Sequence, residues 1–401
     1  MPDSSPRFVA LDVHKAYVVI GAVDATQTVV LPPRRVSLAQ FADWVGQHLF
    51  PTDQVVLEST INAWTFYDQL VPLVSRVVVA NPAQVKLIAA SVVKTDKRDT
   101  LALARLLAAN IIPAVWVPPP AVRELRALVA HRQRLLKQRT MAKNRLQSLL
   151  HQHNLTPPAA EAFAPNHQAW WELLEQQLPP SERLRAQQDR ALVAYLTTLI
   201  QTVEAELARV SQEEPWKAQV PFLIQLPGIG LITAMTVLAS VGEITRFSSA
   251  KHLVGYAGLG ARIHASGQVH RSGSITRTGR SELRTILVEA AWTTIRVSAW
   301  WRARYEQLTA RMPAAKAIVA IARKLLVVIW HVLTARTADQ HADPVAVARR
   351  LFRWGAAHHL ARLRGLSRSA FVRSHLDQIG VGPELTHLTI NGSTFILRAP
   401  G

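Results

Sequence analysis

Residues 7–110 alternate between two hydrophobic periodicities. "RFVALDV" and "AYVVIGAVD" carry the period-two pattern of strands and "QTVVLPPRRV" reads as a third, after which "SLAQFADWVGQHL" switches to helical spacing. A buried strand follows in "QVVLES", then a helix in "AWTFYDQLVPLV", a strand in "RVVVAN", and two helices near 83–90 and 96–109. Three strands in succession, followed by alternating helices and strands, predict a mixed sheet covered by helices. The proline-rich "IIPAVWVPPPAV" predicts a linker.

Past the linker the pattern becomes long helix. Between Ala121 and Leu150, Leu128, Leu135, Ala142 and Leu149 recur at heptad spacing, with Leu125, Val129, Leu136, Leu146 and Leu150 beside them. This is a coiled-coil-like seam of about four heptads, and a second helix near 183–210 is expected to return antiparallel to it. Residues 221–336 read as helical and self-contained. There "LPGIGLITAMTVLASVG" predicts a helix-hairpin-helix-like turn around Gly228 and Gly230, whose N–H groups suit a phosphate, although a tight turn alone also wants those glycines. After about 340 come further helices and "LTINGSTFIL", where Asn391-Gly392 between alternating strands signals a type I′ hairpin; no chemistry attaches to this tail. The expected fold is α/β plus all-α: a mixed-sheet domain at 1–115, coiled-coil and linker helices at 121–215, a helical domain at 220–340 and an extension at 341–401.

Charge then narrows the partners. The 401 residues carry a formal net charge of +19, with 36 arginines and 10 lysines against 27 acidic residues. Such a surplus points to a polyanion, and arginine suits bidentate phosphate contacts. The helix at 121–150 concentrates it: Arg123, Arg126, Arg132, Arg134, Lys137, Arg139, Lys143 and Arg145 stand against Glu124 alone. We expect Arg132, Arg134 and Arg139 to track phosphates rather than form a plain solvated face. The absence of cysteine excludes disulfides and thiolate metal sites. The longest apolar run, "AIVAIARKLLVVIW", is interrupted by Arg323 and Lys324, and the start lacks the order of a signal peptide, so no membrane partner and a cytoplasmic location are expected.

Against this background the acidic residues stand out. In "VVKTDKRDTLALARLL", Asp96 and Asp99 sit three apart among Lys94, Lys97 and Arg98. Thr95 is a candidate N-cap, and carboxylates in a first turn favour the helix dipole; the same spacing also puts both on one helix face, within reach of one metal. Asp12 ends the first strand and Glu58 the fourth, where a charge is costly unless it is paired or ligates a metal. These four carboxylates form an oxygen set of the kind Mg2+ prefers, and the basic neighbours would hold the phosphate it polarises. His14, beside Asp12, reads as a ligand, a sugar–phosphate contact or simply a half-exposed strand end. Trp170-Trp171 and Trp300-Trp301 read as helix packing rather than base stacking.

"ALDVHK", "VVLEST", "ANPAQVK" and "KTDKRDTLALARLL" together resemble the DEDD, RuvC-like (RNase H-like) nuclease domain of insertion-sequence transposases, specifically the insertion sequence one-hundred-ten family. "LPGIGLITA", "FSSAKHLVGYAGLGARIHASGQ" and "ITRTGRSELRTILVEAAW" are similar to that family's C-terminal transposase domain, so the resemblance spans roughly 7–336. The chain departs from the usual pattern at Gly260-Ala261 and in its long tail. The resemblance implies Mg2+ held by Asp12, Glu58, Asp96 and Asp99, and a nucleophilic serine that forms a phosphoserine link to DNA. By its place in "HASGQ" that serine is Ser266, with Arg262, Arg271, Arg277 and Arg280 nearby as cations for the phosphate. It also implies a structured guide RNA pairing with donor and target DNA, and a homo-oligomer, dimer to tetramer, for which the coiled-coil segment is the natural contact. Two alternatives remain at this point: a metal-only, Holliday-junction-type nuclease, and a non-catalytic nucleic-acid-binding scaffold.

Overall fold

The computed structural model describes residues 6–88, 95–157, 163, 167–266 and 269–397, with backbone alone at 263–266 and 269–272. Two compact units divide at Pro119/Pro120. Unit 1 is built on strands β1 (Phe8–Val13), β2 (Tyr17–Val23) and β3 (Val29–Ser37), helix α1 (Phe41–His48), β4 (Gln54–Glu58), α2 (Ala63–Leu70), β5 (Arg76–Ala80), α3 (Pro82–Ile88) and α4 (Asp96–Ala108). The sheet runs β3-β2-β1-β4-β5. Its first three strands are antiparallel, while β4 lies parallel to β1 and β5 parallel to β4. This is the mixed, helix-covered sheet that the periodicities predict.

Strand alternation sorts the core into two layers. Odd positions Val9 and Leu11 of β1 and Val55 and Leu57 of β4 pack with α1 and α2 through Phe41, Trp44 and Phe66. Even positions Phe8, Ala10 and Val56 pack under α4 through Leu103, Ala104 and Leu107. The proline-rich stretch is more than a linker, since Val115 donates to the Val79 carbonyl and Ala114 bridges Ala80 along the β5 edge.

Unit 2 contains α5 (Pro120–Gln152), α6 (Gln168–Gln177), α7 (Pro180–Val210), α8 (Val220–Ile224), α9 (Leu231–Val241) and α10 (Ala250–Tyr256). The hairpin β6 (Ala261–Ser266) and β7 (Val269–Ile275) follows, then α11 (Ser281–Val297), α12 (Ala299–Thr309) and α13 (Ala314–Ala335). The tail holds α14 (Pro344–Ala357), α15 (Leu360–Leu363), α16 (Arg368–Ile379), β8 (His387–Ile390) and β9 (Ser393–Ile396). Helices α5 and α7 run antiparallel, because Arg132, Arg139 and Arg145 meet Glu204, Thr197 and Asp189 in falling order. Leu125, Leu135, Ala142, Leu146 and Leu149 of α5 are buried. Leu146 and Leu149 pack with Trp171 and Leu174 of α6 and Ala186 of α7, so this part of the apolar stripe is covered within the chain. Helix α9 is apolar all round and buried almost throughout, as such a helix must be.

Two sequence expectations are corrected here. Residues 221–336 are not wholly helical, because β6 and β7 pair antiparallel between α10 and α11. Ser266, which its neighbour Gly267 marks in the sequence as a Gly-flanked loop position, accordingly ends a strand opposite Val269. Helix α13 is long and apolar enough to cross a membrane by length and composition. Arg323 and Lys324 lie exposed within it, and Ala317, Ile321, Leu325 and Ile329 on its other side are fully buried. In the tail, Asn391 and Gly392 both take positive φ, 48° and 80°, as a type I′ turn requires.

Candidate active site

The strand parity that builds the core also aims the carboxylates. Asp12 and Glu58 occupy even positions of neighbouring parallel strands, the set whose apolar members Ala10 and Val56 face α4. On α4, Asp96 and Asp99 stand two turns and one turn before Leu103, which packs onto that sheet face. The apolar part of α4 therefore fixes its first turn above the C-terminal ends of β1 and β4. Thr95 caps the helix, its hydroxyl accepting from the Arg98 N–H at 3.4 Å. Capping and convergence are thus served by one local structure, and the sequence alternatives for Asp96 and Asp99 do not compete.

All four carboxylates line one cleft of about 320 Å³, together with His14, Pro82, Val85, Lys86, Ala102 and Leu103. His14 Nε2 lies 3.1 Å from Asp12 Oδ2 and 3.4 Å from Asp96 Oδ2. The Tyr17 hydroxyl donates to Asp96 Oδ2 at 3.3 Å, and its ring stacks on His14 with centroids 4.5 Å apart. Burial pushes the Asp12 carboxyl above its ordinary value; His14 opposes this, and the negative charges of Asp96 and Asp99 reinforce it. A half-buried carboxylate with further acidic groups beside it is an electrostatic seat for a cation. Lys97 and Arg98 are exposed beside it, and Lys94 lies outside the described residues.

Residues 9–155 match the DEDD transposase model of the IS110 group, and residues 220–306 match the transposase family IS116/IS110/IS902. Together the two matches take in more than half of the chain and both units. The chain belongs to the IS110/IS116/IS902 transposase family. A putative transposase of Sinorhizobium fredii is 30% identical over 277 residues, 62% of this chain and 66% of the relative. A probable family 20 transposase of Pseudomonas aeruginosa is 28% identical over 82% of this chain and 97% of its own length. A pilin gene-inverting protein of Moraxella bovis is 27% identical over 72% of this chain and 83% of its own length. The protein is thus an enzyme of a family that acts on DNA by strand cleavage and transfer.

The remaining candidates of this transposase lie in unit 2. The Ser266 and Arg271 side chains lie outside the described residues, while the backbone places both in the β6–β7 hairpin. The hairpin base is closely packed: a Cβ on Gly279 would stand 1.9 Å from the Tyr256 carbonyl oxygen. Arg284 donates to the Ala257 and Gly279 carbonyls there, at 3.2 and 2.7 Å. Arg280 Nε donates to the Tyr256 hydroxyl at 3.1 Å, and that hydroxyl donates to the Ser240 carbonyl at 3.0 Å. Burial pushes the Tyr256 phenol up, but Arg280, Arg246 and Arg126 outweigh it and bring it below its usual value. Burial, with repulsion from Arg280, pulls Arg126 down to about 10. Arg262 and Arg277 are exposed, and Arg262 donates to the Thr276 carbonyl at 3.4 Å.

The basic face of α5 is redrawn. Arg132 Nε donates to Glu204 at 2.7 Å, Arg139 reaches the Thr197 hydroxyl at 3.3 Å, and Arg126 donates to the Ala239 carbonyl at 2.7 Å. The neutralising acids come from α7 rather than from α5 itself, which is why α5 alone reads as one-signed. Arg134 and Lys137 are exposed and remain available to a phosphate chain. Trp171 and Trp301 are buried, in keeping with packing. Sequence reasoning missed Tyr17, Lys86 and Arg35, whose guanidinium lies 3.4 Å from the Tyr17 ring centroid. Only Lys86, in "ANPAQVK", sits in a recognisable motif.

Proposed function

We propose that this transposase cuts and exchanges DNA strands in a Mg2+-dependent reaction through a covalent phosphoserine link at Ser266, in the cytoplasm, with its donor and target sites chosen by a structured guide RNA. The observation that carries the reading is the convergence of Asp12, Glu58, Asp96 and Asp99 on one cleft. The sheet order, with an antiparallel three-strand meander beside two parallel strands, supports the RNase H-like, RuvC-like assignment. The donor set fits a hard divalent ion: four carboxylates line the cleft, and burial first, reinforced by the charges of Asp96 and Asp99, opposes ionisation of Asp12.

Bound there, Mg2+ supplies positive charge that polarises a phosphodiester and favours the ionised attacking oxygen. The chain's own part is to hold the DNA. Lys86 within the cleft and exposed Lys97 and Arg98 beside it neutralise phosphate oxygens. Ser266, at the end of β6, is the nucleophile by its place in "HASGQ"; its oxygen bonds to phosphorus as the bridging P–O bond of the cut strand breaks and a deoxyribose hydroxyl leaves, and Arg262, Arg277 and Arg280 supply the cations that this attack demands. The guide RNA binds exposed basic surface, Arg134 and Lys137 on α5 included. Assembly from dimer to tetramer uses the outer side of the α5–α7 pair, where Met141, Leu192 and Tyr195 are exposed.

The test is to trap the link. The full chain is incubated with Mg2+, DNA bearing the element's ends and RNA transcribed from the flanking segment, then denatured and digested. A DNA-bearing peptide that contains Ser266 is expected. Ser266→Ala should bind the same nucleic acids yet give neither adduct nor recombinant product. Cutting by Ser266→Ala at the parent's rate would establish a metal-only nuclease in which water attacks. A link at Ser272, Ser274 or Ser281 would move the nucleophile along the hairpin or onto α11.

A further inference from the structure

The carboxylate cleft contains a nitrogen donor. His14 and Asp12 are two residues apart at the end of β1 and so face the same side. The turn into β2 is closed by the His14 N–H donating to the Tyr17 carbonyl at 2.9 Å, which returns the Tyr17 ring against the imidazole. Tyr17 is itself fixed twice, by its hydroxyl on Asp96 and by the Arg35 guanidinium over its ring. A half-exposed imidazole is therefore held in one orientation, its Nε2 toward two carboxylates from different elements.

The distances decide what that orientation serves. Adjacent ligands of a six-coordinate ion with bonds of about 2.1 Å stand about 3.0 Å apart. His14 Nε2 is 3.1 Å from Asp12 Oδ2 and 3.4 Å from Asp96 Oδ2, and all three donor atoms lie within 4.8 Å of one another. A single Nε2–H donates well to one of the two oxygens; a cation among the three atoms engages them all.

We propose that His14 Nε2 is a ligand of the metal site alongside Asp12 and Asp96, and that this nitrogen turns the site's preference from Mg2+ toward a transition ion such as Mn2+. The inference rests on the metal-dependent reading above. Its chemical basis is that imidazole adds to the affinity for transition ions, whereas Mg2+ favours an all-oxygen shell. Glu58 and Asp99, in the same cleft, keep the site anionic enough for a divalent charge.

The experiment is metal binding by the full-length protein without DNA, read by paramagnetic resonance of Mn2+, with Mg2+ affinity measured by competition. The parent should show electron-spin-echo modulation from a directly bound nitrogen, altered by 15N-histidine labelling. His14→Ala should lose that modulation and bind Mn2+ about tenfold more weakly, with Mg2+ affinity changed far less. Should His14→Ala lose its thermal transition, His14→Gln replaces it, and the labelled parent's nitrogen signal stands independently. A parent Mn2+ signal without bound nitrogen, or a folded His14 variant with parental Mn2+ affinity, overturns the role of His14 and leaves the carboxylate site intact. Failure of the parent to bind either ion overturns both readings.

Discussion

Asp12, Glu58, Asp96 and Asp99 come from three elements of unit 1 and meet in one cleft, whereas the arginines of α5 lie along one helix of unit 2 and part company. Both groups stand out by charge in the sequence, and the difference between them is chemical. A carboxylate at the end of an apolar strand gains nothing from a second carboxylate nearby, so convergence of four is costly and points to a cation. A guanidinium has five donors and a long stem, and it satisfies carbonyls, hydroxyls and carboxylates equally well. Arg126 holds the end of α9, Arg132 and Arg145 hold α7, and only part of the positive stripe remains for nucleic acid. Clustering is informative in proportion to its electrostatic cost.

The largest effect should come from breaking the costly cluster. Asp99→Ala is expected to lower recombination at least about a thousandfold, since the metal contributes several kcal/mol of charge stabilisation. Nucleic-acid affinity should hold or rise, because a negative charge near phosphate is lost. Strand-exchange assays beside filter binding check both. Near-parental recombination would return Asp99 to a role in the helix start alone.

How far the sequence carried this contrast depends on where the partners lie. Apolar alternation in "FVALDV" and "QVVLE" makes the strands and the parity of Asp12 and Glu58 legible, and Thr95 with its i, i+3 acids marks the start of α4. Hairpin β6–β7 was not read from the sequence: "ARIHAS" does alternate, through Ala261, Ile263 and Ala265, but with small residues, and in "VHRSGSI" Arg271 and Gly273 interrupt the face that Val269 and Ile275 begin and end. The Tyr17 contact with Asp96 spans 79 residues, and the Glu204 and Asp189 partners lie 72 and 44 residues from Arg132 and Arg145. Local spacing gives no access to such pairings; only the fold creates them. The apolar side of α5 was legible in part, since Leu125, Leu135, Ala142, Leu146 and Leu149 are buried but Leu128 and Leu136 only half so, and the cover that other helices of the same chain give it was not legible.

A smaller effect separates cost from benefit within the cleft. Because Asp12 titrates above its unfolded value, its contribution to stability is fully present below about pH 3.8 and is lost as pH rises through the raised folded value. At neutral pH without metal, the ionised and part-buried Asp12 therefore opposes folding of unit 1. Asp12→Asn should raise the thermal midpoint of the chelator-treated protein by a few degrees at pH 7, and the gain should vanish toward pH 3. Divalent ion should raise the parent's midpoint and leave that of Asp12→Asn nearly unchanged. A variant less stable than the parent in chelator would mean that Asp12 is a structural hydrogen-bonding group and that its charge carries no net burial cost.

The smallest effect tests the dispersed side of the comparison, on α5. If Arg134 and Lys137 contact phosphates while Arg132 is committed to Glu204, the two kinds of substitution should separate cleanly. Replacing Arg134 and Lys137 together with Gln should reduce the slope of log affinity against log salt by about 1.4–1.8, at about 0.7–0.9 per lost contact, with the melting temperature nearly constant. Arg132→Gln should do the reverse. Its ion pair is part-buried, with side-chain exposures of 17% and 29%, so its loss should cost about 1 kcal/mol of stability and leave the salt slope unchanged. Reading both quantities on both variants matters because a destabilised helix also binds less. A fall in slope for Arg132→Gln at constant stability would show that Glu204 gives the guanidinium up to a phosphate when nucleic acid arrives. The basic stripe of α5 would then be a reserve that binding opens, and the contrast with the acidic cleft would narrow to the order in which each cluster finds its counter-charge.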